Sequence, residues 1–342
     1  MMSKSLLEII ACPSCGSSEL EYVIPGEAVG LASPQLADVA LLFCSRCERW
    51  YPIENRIVRL LPDNLRIRSD DEAFIDRHRV SFGDSLCRRL SAVTAAINYS
   101  TSANELISYF DVPVRIAKDR TRNVNHRFKF EEILRGFSPI GNGICLELAC
   151  GNGTHASSLL EVYPDASYVG VDIAPLRLRE TLQRIGDHRN ILLVQATLDV
   201  LPFCDNTFSA VYMVSALQYL DDPENGLNEA RRVLADDGSF VSIDYNPQCY
   251  ASALGLMRKK QEYDTQFDQY LYEKMSKENL GRWMSGSGFS DIKIRNLLFL
   301  PGNLPVPVVV YRIINGILQW IPFIKHFSIM HASLARKRGY GN

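Results

Sequence analysis

The chain has 342 residues, too many for one ordinary compact unit, so at least two units are expected, one of them small. Hydrophobic residues make up 46% and charged residues 22%, and 37 Lys and Arg stand against 39 Asp and Glu; this is the balance of a soluble globular protein, without the basic excess of a typical nucleic-acid binder. Nine cysteines, an odd number with no secretory leader pattern before them, fit a reducing cytoplasm better than a disulfide framework, and no run reaches the roughly 18 apolar residues of a spanning helix.

The first chemistry in the chain is a pair of cysteine knuckles, Cys12-x2-Cys15 and Cys44-x2-Cys47, separated by 28 residues. Two such knuckles can place four thiolates on a tetrahedron around one zinc ion, and Pro13, Gly16 and Ser45 supply the turns. With all four positions taken by Cys, no vacancy is left for a water nucleophile, so the expected metal is structural. The full stretch "LLEIIACPSCGS…LFCSRCERWYPIENRIVRLLP" resembles the small zinc-ribbon family that activates several RNA- and protein-methylating enzymes; Tyr51-Pro52-Ile53 and Leu60-Leu61-Pro62 carry the resemblance beyond the cysteines. A ribbon of this size buries little core by itself, so the metal is expected to supply most of its folding energy, on the order of 10 kcal/mol. This unit is read as residues 1–62.

Residues 63–120 read as a helical linker without nameable chemistry, with helical patterns near 84–98 and 103–110. A second, larger domain is expected over 121–342, with an apolar insert at 300–325. Its first helix lies within Arg120–Phe137, with Val124, Phe128, Phe130, Ile133 and Leu134 on the apolar side.

From Gly143 onward strands and helices alternate: "GICLELAC", "THASSLLEVY", "SYVGVDIA", "PLRLRETLQRIG", "NILLVQATL", "FSAVYMVSAL", "PENGLNEARRVLADDG" and "SFVSIDYN". The rhythm predicts an α/β fold with a doubly wound, mostly parallel sheet, and ligands at the carboxyl ends of its strands. Gly151 and Gly153 lie at such an end, where glycine lets a backbone approach a ligand. The segment Ala149–Ala156 lacks the last glycine of a dinucleotide fingerprint, so on that motif alone a nicotinamide enzyme stays open.

The blocks "LELACGNGTH", "YVGVDIAP", "LPFCDNTFSAVYMVSALQYLDDP" and "EARRVLADDGSFVSID" together resemble class I S-adenosylmethionine-dependent methyltransferases over about residues 143–245. The resemblance implies a Rossmann-like seven-stranded sheet, here preceded by the zinc ribbon. It also implies that Glu147 helps hold the methionine end and that Ala149, Gly151 and Gly153 form the cofactor loop, Ala149 replacing a usual glycine. Asp172 would accept from both ribose hydroxyls, and Ile173 would pack on adenine. At the adenine position the usual Gly-Asp-Ala reads Ala196, Thr197 and Leu198, so recognition through backbone and apolar contact is expected, with Asp199 pointing elsewhere or, if the loop is shifted, substituting for the usual Asp. Ser215, after the fourth strand, completes the expected cofactor set. The implied helix before the first strand often closes over the cofactor, which would bring Asn125 and His126 to the site. "DYNPQCY", Asp244 to Tyr250, is read as a strand-exit loop rather than a catalytic Asn-Pro-Pro-Tyr motif.

Near the C-terminus, "KENLGRWMSGSGFSDIKIRNLLF" predicts a helix and a strand, and "HFSIMHASLARKR" a last strand antiparallel between its neighbours. The apolar, proline-punctuated insert 300–325 has three open readings: a cap over the substrate, a segment lying on a membrane surface through Trp320 and Lys325, or a packing insert that buries itself.

Methyl transfer needs positioning more than any particular catalytic group, and His126, His155, Tyr212, Gln218, Tyr219 and Tyr245 all stand as candidates for the pocket rim. Three functions remain: a methyltransferase for a small-molecule, sugar or lipid-linked acceptor; an RNA base methyltransferase using the ribbon, with Arg120, Arg122 and Arg127 on phosphates; and a non-catalytic cofactor-binding scaffold. The composition and the insert favour the first.

Overall fold

The structure is a computed structural model that describes residues 6–26, 37–111, 124–137, 143–186, 188, 190–249, 275–300 and 307–339. Arg120, Arg122 and the start of the insert lie outside these, as do the side chains of Val124, Asn125 and Lys325.

The central sheet follows the alternation of the sequence. Strands β5 (Ile144–Leu148), β6 (Ser167–Asp172), β7 (Ile191–Gln195), β8 (Phe208–Val214) and β9 (Leu234–Tyr245) run parallel, in the order β7-β6-β5-β8-β9. They are near-continuous apolar runs because helices cover both faces. β11 (Met330–Arg336) then lies antiparallel between β9 and β10 (Ser290–Leu297), as the sequence predicts. The crossover helices are α5 (Thr154–Val162), α6 (Pro175–Ile185), α7 (Pro223–Val233) and α8 (Lys277–Gly286). Their starts are chemically marked. Asp222 accepts from the N–H groups of Glu224 and Asn225 at 3.1 Å each, with Pro223 following it, and Ser276 accepts from Asn279 N–H at 3.2 Å.

The ribbon is not a separate bead. Its strands β1 (Leu20–Val23), β2 (Val39–Cys44), β3 (Trp50–Glu54) and β4 (Ile57–Arg59) extend the same sheet, because β4 pairs in parallel with the edge strand β7. One 11-stranded sheet results. A second seam runs through the "LPF" block: Ala11 N–H donates to Pro202 and Cys204 N–H to Ile9, each at 2.9 Å. Ile9, Ile10, Leu42, Tyr51, Ile53, Val58 and Leu60 are buried in one apolar cluster with Leu146, Val169, Val194 and Phe203. The ribbon, expected to bury little core by itself, shares the core of the larger domain, by covering an edge that would otherwise expose backbone and apolar surface.

The linker forms α1 (Arg68–Arg77), α2 (Arg79–Ala95) and α3 (Ala103–Phe110). Phe74, Ile75, Cys87 and Leu90 of α1 and α2 pack on the ribbon's outer face at Leu41, Phe43 and Trp50. Arg66 is fixed there by Asp71 at 2.8 Å and by the Trp50 carbonyl at 2.8 Å. Helix α4 (Val124–Gly136) precedes β5, with Phe128, Phe130, Ile133 and Leu134 on its packed side. Within the described part of the insert the chain forms helix α9 (Val308–Leu318), and a 3-10 turn follows over Ile324–Phe327.

Candidate active site

The loop after β5 carries Ala149, Gly151 and Gly153, all with positive φ, at 53°, 56° and 71°. A Cβ on Gly151 would meet nothing within 4 Å, so the backbone there borders open space, whereas a Cβ on Gly153 would meet Thr181 at 2.9 to 3.0 Å. Helix α6 fastens the loop from behind: Thr181 Oγ1 donates to the Gly151 carbonyl at 2.7 Å and Arg184 Nε to the Asn152 carbonyl at 2.8 Å. The loop is therefore rigid on one side and open on the other.

Two cavities meet at this loop. The first, of about 200 Å³, is lined by Asp172 and Ile173 from the end of β6, by Ala196, Thr197, Leu198 and Asp199 after β7, and by Ala149, Val214, Ser215 and Tyr219. The second, of about 450 Å³, is lined by Glu147, Cys150, Gly151, Asn152, His155, His126, Lys129 and Tyr245. Ala149, Val214 and Ser215 belong to both walls. Ser215 also has positive φ, 56°.

Asp172 is positioned by two backbone donors, Gly151 N–H at 2.8 Å and Ala174 N–H at 3.0 Å. Burial raises its pKa, and those two N–H groups pull it back. Glu147 is buried between tyrosines on the neighbouring strands; Tyr168 donates to its Oε2 at 2.6 Å and Tyr212 at 2.9 Å. Burial outweighs these bonds and lifts its pKa to about 8.

The chain brings the sequence-predicted cofactor residues Ala149, Asp172, Ile173, Thr197, Leu198 and Ser215 onto one cavity, and Glu147 and Gly151 onto the adjoining one. Gly153 stands behind them as the first residue before α5, in contact distance of Thr181 rather than on a cavity wall. Asp199 does not point elsewhere. It lines the first cavity, where Thr197 Oγ1 donates to its Oδ2 at 3.1 Å, because the loop turns back on itself over two residues. The sequence reading missed Leu106 and Phe110 altogether. Both come from the linker helix α3 and close the first cavity, Phe110 meeting Tyr219 edge-on at 5.5 Å. The only local hint was the apolar pattern at 103–110, which does not reveal its partner.

Helix α4 closes the second cavity instead. His126 Nε2 lies 2.8 Å from Ser158 Oγ and its ring lies 4.6 Å from that of His155. Burial lowers the His126 pKa to about 4. Tyr212 and Gln218 are buried beneath the walls rather than at the rim. Asn246 is a structural residue: its Nδ2 donates to the carbonyls of His326 at 2.9 Å and Ser328 at 2.7 Å, as a strand-exit loop requires.

The walls fit a polar, nucleoside-bearing ligand. Asn152 Nδ2, His155 Nδ1 and Ser215 Oγ are buried without a hydrogen-bond partner among the described residues. Asp172 offers a carboxylate for vicinal hydroxyls, beside the apolar Ile173 and Leu198.

The four ribbon sulfurs fit a metal equally well. All lie within 4.8 Å of one another, with Cys12 to Cys47 and Cys15 to Cys44 at 3.6 Å. A tetrahedral site with bonds of about 2.3 Å needs edges of about 3.8 Å. Cys12 Sγ also lies 3.1 Å from the buried Tyr51 hydroxyl. A zinc ion held by Cys12, Cys15, Cys44 and Cys47 would have a closed ligand set.

A doubly wound sheet with this strand order, a glycine loop after its first strand and a carboxylate after its second is the arrangement of class I S-adenosylmethionine-dependent methyltransferases, and sequence relatives of that class match the central part of the chain. Residues 146–242 match the family described as "Methyltransferase domain". The chain is 27% identical over 169 residues to the demethylmenaquinone methyltransferase of Renibacterium salmoninarum, covering 44% of this chain and 68% of that protein. It is 26% identical over 217 residues to the demethylmenaquinone methyltransferase of Clavibacter sepedonicus, covering 58% and 87%. It is 36% identical over 96 residues to the malonyl-[acyl-carrier protein] O-methyltransferase of Geobacter sulfurreducens, covering 28% and 36%.

Proposed function

We propose that this methyltransferase acts on a small acceptor, a phenolic or quinol-like ring or a lipid-linked intermediate, which enters the 450 Å³ cavity on the side away from the methionine end of the cofactor. The observation that carries this reading is the wall of Ala149, Val214 and Ser215 shared with the nucleoside chamber, beyond which the larger cavity has room for the methionine end at Glu147 and Gly151 and for an acceptor beside it. The two demethylmenaquinone methyltransferases among its relatives support the same acceptor class.

In-line displacement requires the acceptor nucleophile to face a sulfonium methyl, which S-adenosylmethionine supplies when bound. The chain's own work is positional. Asp172 would hold the ribose and Ile173 the adenine, while Phe110 and Leu106 exclude water from that side. Glu147 would hold the methionine end, braced by Tyr168 and Tyr212. His126, kept neutral by burial, stands on the acceptor wall in its proton-accepting form at neutral pH. The zinc ribbon would brace the edge strand that leads into the adenine loop.

The test is incubation with methyl-labelled S-adenosylmethionine and cell extract, followed by separation into solvent-extractable, small-molecule, protein and RNA pools. Label in the solvent-extractable or small-molecule pool is expected. Label confined to a nuclease-sensitive pool would overturn the reading and make the ribbon an RNA-recognition unit.

A further inference from the structure

Helix α9 is packed with its aliphatic side outward. Its buried positions are Tyr311 and Asn315, whereas Val309, Ile313 and Ile317, four residues apart on the opposite face, are 66%, 56% and 57% exposed. The orientation is enforced by hydrogen bonds. Asn315 Oδ1 accepts from Phe299 N–H at 2.6 Å, and its Nδ2 donates to the Tyr311 carbonyl at 2.8 Å. Rotating the helix to bury its isoleucines would break the first of these, which ties α9 to the chain after β10; the second lies within the helix and satisfies the buried amide. The apolar surface continues into the following turn, where Trp320 and Phe323 are 87% and 84% exposed and Ile321, Ile324 and Phe327 are also exposed. An apolar face this continuous, held outward by buried polar contacts, marks a contact surface.

We propose that α9 and the turn after it dock on the surface of an anionic lipid bilayer, from which the acceptor is taken; this rests on the acceptor class proposed above. Three observations favour lipid over a second protein. The chain contains no acidic residue after Asp291, while Arg312 and Lys325 fall within the insert. Arg312, Arg295 and Arg135 gather at the groove between α9 and α4, and the two acids there are already engaged, Glu131 with Arg312 and Glu132 with Arg135. The surface therefore offers aliphatic and aromatic side chains beside a groove with three arginines against two glutamates, a net positive edge that complements acyl chains beneath anionic headgroups. At 11 residues α9 is only about 16 Å long, about half a bilayer core, and no helix among the described residues is long and apolar enough to cross a membrane.

The surface also adjoins the 450 Å³ chamber that the acceptor enters. α4 presents His126 and Lys129 to that chamber and, two residues on in each case and so on another side of the helix, Phe128 and Glu131 to α9. Asn246, which ties down His326 and Ser328 at the end of the apolar turn, follows the chamber residue Tyr245 directly.

The experiment is co-sedimentation of the full chain with vesicles of phosphatidylcholine alone or with phosphatidylglycerol, together with Trp emission. Binding to the anionic vesicles with a blue shift is expected. Trp320→Ser combined with Phe323→Ser should weaken it by about tenfold or more, whereas Val80→Ser, at a 97% exposed valine elsewhere, should not. Vesicle binding absent from the unaltered chain, or unchanged in the double variant, overturns the proposal. So does a concentration-dependent dimer that the double variant abolishes without any vesicle binding, which would assign the face to a second copy. No acceptor is present in this assay, so its failure leaves the proposed reaction untouched, and misassigned chemistry leaves vesicle binding intact.

Discussion

The backbone N–H of Leu60 donates to the carbonyl of Gln195 across 2.9 Å. Leu60 directly follows the ribbon's last strand, and the residues after Gln195 form the wall of the nucleoside chamber. Metal site and cofactor site are thus joined through one pair of strands. Removing zinc with a chelator, or Cys44→Ser, is expected to weaken S-adenosylhomocysteine binding by about tenfold or more as the edge of the sheet loosens. Calorimetric titration before and after chelation checks this; an unchanged affinity in metal-free protein would show that the ribbon and the site are uncoupled.

Asp172→Asn keeps an oxygen for one of the two backbone donors but loses the charge and one acceptor. Cofactor affinity should fall by about 10- to 100-fold with only a modest loss of stability. Asp172→Ala should cost a further 1–3 kcal/mol or so of folding stability, because the N–H groups of Gly151 and Ala174 are left without their acceptor. Denaturant unfolding separates the two variants.

Glu147 makes stability pH-dependent. Its pKa rises from 4.5 to about 8 in the folded state, so the folded protein holds this proton more tightly than the unfolded chain. Its contribution is fully present below pH 4.5 and is lost as pH rises through about 8, a change on the order of a few kcal/mol. Glu147→Gln should flatten the melting temperature between pH 6 and 9. A slope identical to that of the unaltered protein would mean that Glu147 is already ionised throughout that range.

Ala149 has φ 53°, a left-handed conformation that costs an L-residue about 1 kcal/mol and costs glycine almost nothing. Ala149→Gly should therefore stabilise the apo protein slightly, less than that cost because glycine also gains entropy on unfolding. Gly153→Ala should do the reverse and more strongly, since the added Cβ meets Thr181 within 3.0 Å as well as adopting positive φ. Parallel urea titrations of the two variants should move the midpoint in opposite directions.

What the sequence determined by itself was local. Knuckle spacing placed the four cysteines, period and turn chemistry placed β5 to β9 with their helices, and strand-end position singled out Asp172, Gly151 and Glu147, since each of these signals arises within a few consecutive residues. Only the tertiary structure decided the rest. That β4 joins β7 depends on which edge of a sheet lacks a partner, and no stretch of sequence records that vacancy. Leu106 and Phe110 look like any buried pair until α3 is laid across the nucleoside chamber. The insert shows the difference most plainly: its composition fits a buried helix as well as a surface one, and the hydrogen bond from Phe299 N–H to Asn315 holds its aliphatic face to the outside. Composition states how apolar a segment is, but which side of it meets solvent follows from long-range polar contacts that form only when distant parts of the chain come together.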